Sequence, residues 1–257
     1  MLGECAATVY VTGRSTRARP GPGPGTVEET AEAVSAAGGV GVPAVTDHTD
    51  DRQVETLFTR VRREQGRLDL LVANAWGGYE GYDATFSAPF WEQPSRRWDQ
   101  MFGGGLRAHF AASRHAAPLM IDQGYGLLVC TGGFDDPGSY LGSVPYDVAK
   151  TGTSRLVLAM ARELRPHNVA VVGIYPGFTR TEAVLAAFAA QGTQPPEEAH
   201  SPQFVGRAVA AVWADPEVMT LSGTGAQAAT FAQRYGFTDV DGRRIVPFVL
   251  PREYRLD

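Results

Sequence analysis

Tyr146 stands four residues before Lys150 in the run Tyr146-Asp147-Val148-Ala149-Lys150. On a helix, residues four apart share a face. A tyrosine ordinarily ionises near pH 10, too high to exchange protons at neutrality. A fixed ammonium beside it stabilises the phenolate and is expected to lower that value. Lysine also bonds ribose hydroxyls, so the pair has what proton transfer beside a hydride carrier requires. With nine tyrosines and one lysine in 257 residues, chance gives this spacing about one time in thirty. The lysine is itself informative, because the other 22 of the 23 basic residues are arginine. Codon usage in a GC-rich genome accounts for the arginines. Position 150 then keeps a compact, flexible ammonium that a planar guanidinium does not replace.

These residues need elements to hold them. Short apolar, often β-branched runs predict strands at Ala7–Thr12, Val40–Val45, Leu68–Ala75, Gly126–Thr131, Val169–Ile174 and Met219–Gly223. Between them, Val54, Leu57, Phe58 and Val61 recur at helical spacing, and Leu156–Leu164 reads as helix. Thr26 with Glu29 forms a capping box opening a helix through Ala37. The alternation predicts a doubly wound, Rossmann-like parallel sheet with helices on both faces, in a single domain over 1–257. Tyr146 and Lys150 then open a helix after a strand and loop. Pro176-Gly177-Phe178-Thr179-Arg180-Thr181 ends the next strand, at the sheet edge where such folds bind ligands. Gly192–Pro202 reads as a mobile loop of the kind that covers substrates.

A net charge of -5 disfavours nucleic-acid binding. No apolar run spans a bilayer, and Met1–Cys5 does not open a signal peptide. Two cysteines, Cys5 and Cys130, form no framework and no CxxC pair, which suits a reduced cytoplasmic protein. No metal site is expected: His109 and His115 are six apart, poor ligand spacing, and read as packing or surface residues. Asp135-Asp136 reads as a solvated turn. Trp76, Tyr79, Tyr82, Phe86, Phe90 and Trp91 follow the third strand, either as lid or core packing or as a hydrophobic substrate wall.

From about Ala7 to Arg244 the sequence resembles the short-chain dehydrogenase/reductase superfamily, and within it the animal dehydrogenase/reductase SDR family members and their bacterial relatives. The resemblance is carried in order by Val11-Thr12-Gly13-Arg14, Val45-Thr46-Asp47, Leu71-Val72-Ala73-Asn74-Ala75, Trp98-Asp99, the Tyr146/Lys150 pair, Glu163-Leu164-Arg165-Pro166-His167, Pro176-Gly177 and the tail Arg234–Arg243. It implies Tyr146 as the general acid in carbonyl reduction and Lys150 as the residue that holds the nicotinamide ribose and tunes Tyr146. It further implies Asp47 at the adenine amino group, Asn74 at the adenosine ribose, and Thr179 and Thr181 at the carboxamide. Arg14 falls where this family reads the adenosine 2′ position, and a cation there suits a 2′-phosphate, hence NADP(H) rather than NAD(H). The implied partners are a small carbonyl or alcohol substrate and a second copy of the chain. The family pairs through the helix after Trp98 and the helix of Tyr146, with Leu156, Val157 and Ala161 as the expected outer stripe of a homodimer or homotetramer.

Three departures stand against that pattern. The Gly-rich phosphate loop is missing: after Gly13 the later family glycines fall on Arg17 and Arg19. One reading takes Ala7–Thr12 as strand one with Asp47 ending strand two. The downstream landmarks instead make Ala7–Thr12 strand two and Met1–Cys5 the tail of the first helix, so the chain is expected to begin inside the fold. The family's serine, thirteen positions before the tyrosine, is Gly133, which leaves Thr131, Ser139 or Ser143 as substitute hydroxyls. The relay asparagine aligns with Gly105. The alternative to an NADP(H)-dependent oxidoreductase is accordingly a catalytically impaired or non-catalytic binding protein of the same fold.

Overall fold

The computed structural model describes residues 1–21, 23–80, 83–133 and 138–250; Tyr82 and Asp135-Asp136 lie outside them. The chain divides into two compact units. The first comprises Met1–Asp47, Pro176–Asp215 and Ala228–Phe248; the second comprises His48–Tyr175, Pro216–Gln227 and, of the described residues, 249–250.

In the first unit, β1 (Thr8–Gly13) and β2 (Val40–Val45) pair in parallel, Thr8 opposite Val40 and Gly13 opposite Val45. The crossover is α1 (Val27–Ala36), opened by the expected capping box between Thr26 and Glu29. The helix lies so close to β2 that a Cβ on Gly41 would sit 1.8 Å from the Ala31 carbonyl oxygen. Met1–Cys5 contributes one short 3-10 turn, and no strand precedes β1 among the described residues. The same unit holds α6 (Glu182–Ala190), α7 (Pro202–Trp213) and α8 (Ala228–Tyr235), with Phe204, Ala208 and Val212 of α7 fully buried.

The second unit carries a four-stranded parallel sheet in the order β3 (Leu70–Ala73), β4 (Gly126–Thr131), β5 (Val169–Tyr175), β6 (Gly225–Gln227). Every residue of β4 and β5 is buried, as unbroken apolar strands covered on both faces require. The helices are α2 (Asp51–Gln65), α3 (Ser95–Met101), α4 (Ala108–Gln123) and α5 (Val144–Leu164). The stripe Val54, Leu57, Phe58 and Val61 is buried as its spacing predicts. A π turn, Phe102–Arg107, joins α3 to α4.

Three expectations differ from the fold. Met219–Gly223 is not a strand: Val218–Thr220 is a 3-10 turn, and Gly223 turns the chain at φ +91°. The sixth strand is the inconspicuous Gly225–Gln227. It opens on a bare glycine because the Tyr175 side chain crosses there; a Cβ on Gly225 would stand 2.2 Å from the Tyr175 oxygen. The third strand is shorter than Leu68–Ala75 at both ends. Leu68 is bonded through both backbone groups to the Gln123 side chain, and the Ala75 carbonyl accepts from His109 at 3.2 Å. On α5, Val157 and Ala161 face inward and are buried; Leu158, not they, is largely exposed. No described helix is long and apolar enough to cross a membrane.

Candidate active site

Tyr146 and Lys150 lie in the first two turns of α5. Pro145 starts the helix without needing a backbone hydrogen bond, and Asp147 accepts from the Leu141 amide at 2.9 Å, fixing the incoming loop. One face of this helix is lined by the segment after β3. The Lys150 Nζ stands 3.7 Å from the Trp76 ring centroid and 5.6 Å from that of Tyr146. Trp76 meets Tyr146 edge-on at 5.7 Å, Phe86 meets it edge-on at 5.9 Å, and Tyr79 stacks on it at 6.2 Å. The Tyr79 hydroxyl donates to the Tyr146 hydroxyl over 3.4 Å.

Glycines make this enclosure possible. A Cβ on Gly105 would lie 2.6 Å from two carbons of the Trp76 indole, and one on Gly78 would lie 2.4 Å from a third. Gly104 and Gly77 pack backbone to backbone. The indole therefore fills the place where the family pattern expects an asparagine. Gly133 is equally constrained: a Cβ there would meet the Lys150 Cβ at 2.7 Å and Cγ at 3.1 Å. A serine at 133 would displace the lysine stem, so Gly133→Ser restores no donor without disturbing Lys150.

The segment that carries the rings is pinned from below. Arg97 is buried on α3 and bonds Asp83 at 2.8 Å and the Thr85 carbonyl at 2.7 Å. Asp83 caps the turn Ala84–Ser87, also pairs with Arg96, and its carboxyl is held below the usual range, chiefly by hydrogen bonds from Thr85. Gln93 donates to the carbonyls of Phe86 and Ala88, and Ser143 donates to Gln93 at 3.2 Å, tying the segment to the start of α5. Ser143 is thereby engaged.

Electrostatics follow burial. Burial lowers Lys150 to about 8, since no carboxylate pairs with it among the described residues. Burial raises Tyr146, opposed in part by the Tyr79 hydroxyl; the lowering that the sequence suggests is not found, because the ammonium is held over the indole. His109, on α4, is lowered to about 4 by burial and then by the charge of Lys150. It is neutral near pH 7; its Nε2 faces the Ala75 carbonyl while its buried Nδ1 has no partner. Cys130 is buried and raised to about 12, so its thiol is inert. Thr131, at the end of β4, donates to the Asn74 side-chain oxygen at 2.8 Å, which leaves the Asn74 amide nitrogen as its donor.

The remaining expected residues lie at strand ends in the first unit. Arg14 follows β1 and Asp47 follows β2, their side chains 4.0 Å apart. Beyond β5, the Pro176–Thr181 segment bridges to His200: the His200 amide donates to the Phe178 carbonyl at 3.0 Å and the Arg180 amide to the His200 carbonyl at 2.8 Å. Thr181 caps α6. The Thr179 hydroxyl is buried without a partner among the described residues. The tail fastens this segment: buried Asp239 accepts from the Ser201 amide at 2.8 Å and lies 3.5 Å from Arg180, which also pairs with Asp241 at 3.1 Å. Arg243 donates to the carbonyls of Glu197 and Ala199, so the expected mobile loop is tied at its far end. Taken unit by unit, the Lys150 ammonium, with no carboxylate among the described residues, suits a ribose hydroxyl in the second unit; in the first, the orphaned Thr179 hydroxyl suits an amide and the Arg14 guanidinium a phosphate. Among the described residues no cluster of His, Cys, Asp or Glu suits a metal.

Sequence reasoning missed the placement of Trp76 over Lys150, Tyr79 at the Tyr146 oxygen, and the Arg97 anchor. The density of aromatic residues after β3 was the available signal for the first two.

A family model described as short chain dehydrogenase matches residues 3–192. Dehydrogenase/reductase SDR family member 1 of Mus musculus is 37% identical over 95% of this chain and 79% of its own length. The Homo sapiens protein of that name is 36% identical over 96% of this chain and 80% of its own. Among solved structures, a short chain dehydrogenase of Mycobacterium thermoresistibile matches with TM-score 0.80 at 24% identity, covering 98% of this chain and 91% of that one. A 7 alpha-hydroxysteroid dehydrogenase complexed with NADH and 7-oxo glycochenodeoxycholic acid matches with TM-score 0.64 at 21% identity, covering 78% of each chain. A metagenomic short-chain oxidoreductase in complex with NADP matches with TM-score 0.57 at 25% identity, covering 76% of this chain and 82% of that one.

Proposed function

This chain belongs to the short-chain dehydrogenase family, and we propose that it reduces a carbonyl group, or oxidises the corresponding alcohol, with NADP(H). The observation that carries the reading is the pair on α5: a tyrosine and an ammonium one turn apart, enclosed by aromatic rings. Burial keeps the Tyr146 hydroxyl protonated, which is the form a general acid needs. Among the described residues Lys150 has no carboxylate to satisfy, so its ammonium is the group that would bond the nicotinamide ribose and face the phenolate as it forms. Thr179 and Thr181 would hold the carboxamide, Asn74 the adenosine ribose, Asp47 the adenine amino group and Arg14 the 2′-phosphate. The bound dihydronicotinamide supplies hydride. The rings of Trp76, Tyr79 and Phe86 give the substrate an apolar wall and exclude water from the reacting oxygen. No observation favours the non-catalytic alternative. Two free cysteines, one exposed and one buried, suit the reducing cytoplasm.

The protein is proposed to act as a homodimer, or as a tetramer built from it. A shallow groove of about 520 Å³ lies on the outward side of the π turn, α4 and α5, lined by Phe102, Leu106, Phe110, Gly152, Leu156 and Ala159. Phe110 is 52% exposed there, an apolar area that a second copy would cover.

Three outcomes are expected. Tyr146→Phe should lower kcat for an aromatic aldehyde by about 10²- to 10⁴-fold while leaving NADPH affinity unchanged; retained turnover contradicts the assignment. Arg14→Ala should weaken NADPH by about 10-fold or more, the loss of one charge-assisted phosphate contact, and leave NADH nearly unchanged; equal losses for both cofactors, or none, reject the NADP(H) reading. Phe110→Glu should convert a dimer to a monomer in sedimentation at micromolar concentration; a monomeric starting protein rejects the interface.

A further inference from the structure

We propose that Tyr79 is a second catalytic hydroxyl, which donates a hydrogen bond to the substrate oxygen while Tyr146 protonates it. This inference rests on the carbonyl-reductase reading above and names the donor that Gly133 cannot provide. The family position for that donor has no side chain, and the Lys150 stem occupies the space where one would start. The other candidate hydroxyls have partners: Thr131 bonds Asn74 at 2.8 Å, Ser143, fully buried, bonds Gln93 at 3.2 Å, and Ser139 is not free. The hydroxyl within hydrogen-bond reach of the Tyr146 oxygen, among the described residues, is that of Tyr79.

The distance suits a shared acceptor. At 3.4 Å the two phenol oxygens are too far apart for a strong bond to each other, since O–H···O bonds centre near 2.7–2.8 Å. An oxygen placed about 2.7 Å from one hydroxyl can also lie about 2.7 Å from the other. The rings hold that spacing: Tyr79 is stacked on Tyr146, set edge-on to Trp76 at 5.9 Å and packed on Phe86 at 6.3 Å. The Phe86 turn is in turn fixed by Arg97 and Gln93.

The step balances. When bound, the reduced nicotinamide would supply the hydride for the new C–H bond and be left oxidised, while the carbonyl π pair would move onto oxygen. That oxygen takes the Tyr146 proton, and the Tyr146 phenolate is reprotonated from water. Tyr79 keeps its proton throughout and stabilises the oxygen as charge develops, the moment at which a positioned donor contributes most.

The test uses the whole chain with NADPH and 4-nitrobenzaldehyde, and compares Tyr79→Phe, Tyr79→Ala and Tyr146→Phe. Tyr79 is more than half exposed, and Tyr79→Phe removes one oxygen, so the variant should melt with the parent. The expected result is a fall of about 10²-fold in kcat for Tyr79→Phe with little change in KM, the mark of a contact made in the transition state. A second readout needs no turnover: binding of 4-nitrophenolate, an oxyanion that takes both donors, followed by its absorbance. Tyr79→Phe should weaken it about 10-fold. Unchanged kcat and unchanged phenolate affinity in Tyr79→Phe, with Tyr146→Phe inactive, overturn the proposal and leave the reductase reading standing. A silent Tyr79→Phe with a faster Tyr79→Ala also overturns it, since the ring then only covers the site. Full activity in Tyr146→Phe would instead remove the reductase reading on which the proposal rests.

Discussion

An ammonium withdrawn from water needs a counterpart, and among the described residues the counterpart of Lys150 is the face of the Trp76 indole at 3.7 Å rather than a carboxylate. A ring quadrupole attracts the cation without neutralising it. A carboxylate would have held Lys150 charged and committed; the indole leaves it lowered to about 8 and ready to meet a ligand. The rest of the site is arranged around this contact. The indole needs Gly105 and Gly78 to be bare, the lysine stem needs Gly133 to be bare, and the Lys150 charge helps keep the adjacent His109 neutral. The two glycines that depart from the family pattern are thus consequences of one packing choice, in which an aromatic enclosure stands where polar side chains are expected.

That choice moves the work of positioning onto a different set of residues. A proton donor flanked by rings must be held by the segment that carries them, and this segment has little regular structure of its own. Arg97, Asp83, Gln93 and Ser143 supply the hydrogen bonds that a strand or a helix would otherwise provide. In the other unit the tail acts in the same way, where Asp239, Asp241 and Arg243 fasten the Pro176–Thr181 segment and the chain leading to His200. In both places side-chain hydrogen bonds hold irregular backbone that has no ladder of its own.

Much of this was legible from residue types. Period and capping chemistry located α1 through Thr26 and Glu29, and α2 through its buried stripe, because those signals are local. Unbroken apolar runs located β4 and β5 because burial on both faces removes polar residues. The sixth strand is illegible partly for a non-local reason: Gly225 is bare where Tyr175 passes, and Gly225-Ala226-Gln227 holds no β-branched residue. Residue types alone put Val157 and Ala161 on the outer face, because both faces of a helix in this fold are partly apolar and composition does not say which face meets the sheet. The Tyr146/Lys150 pair was visible in the spacing. Its electrostatics were not, since they depend on an indole that arrives from 70 residues earlier in the chain.

Lys150 is the sole lysine, so protein labelled at lysine Cε and Nζ gives one side-chain signal free of overlap. Titrating that signal by NMR tests directly whether the ammonium is enclosed as described. The expected midpoint is near 8, with a loss of turnover as pH rises through the same value, because the ammonium is the form that serves the site. A midpoint near the ordinary 10.5, with turnover unchanged through pH 8, would contradict it.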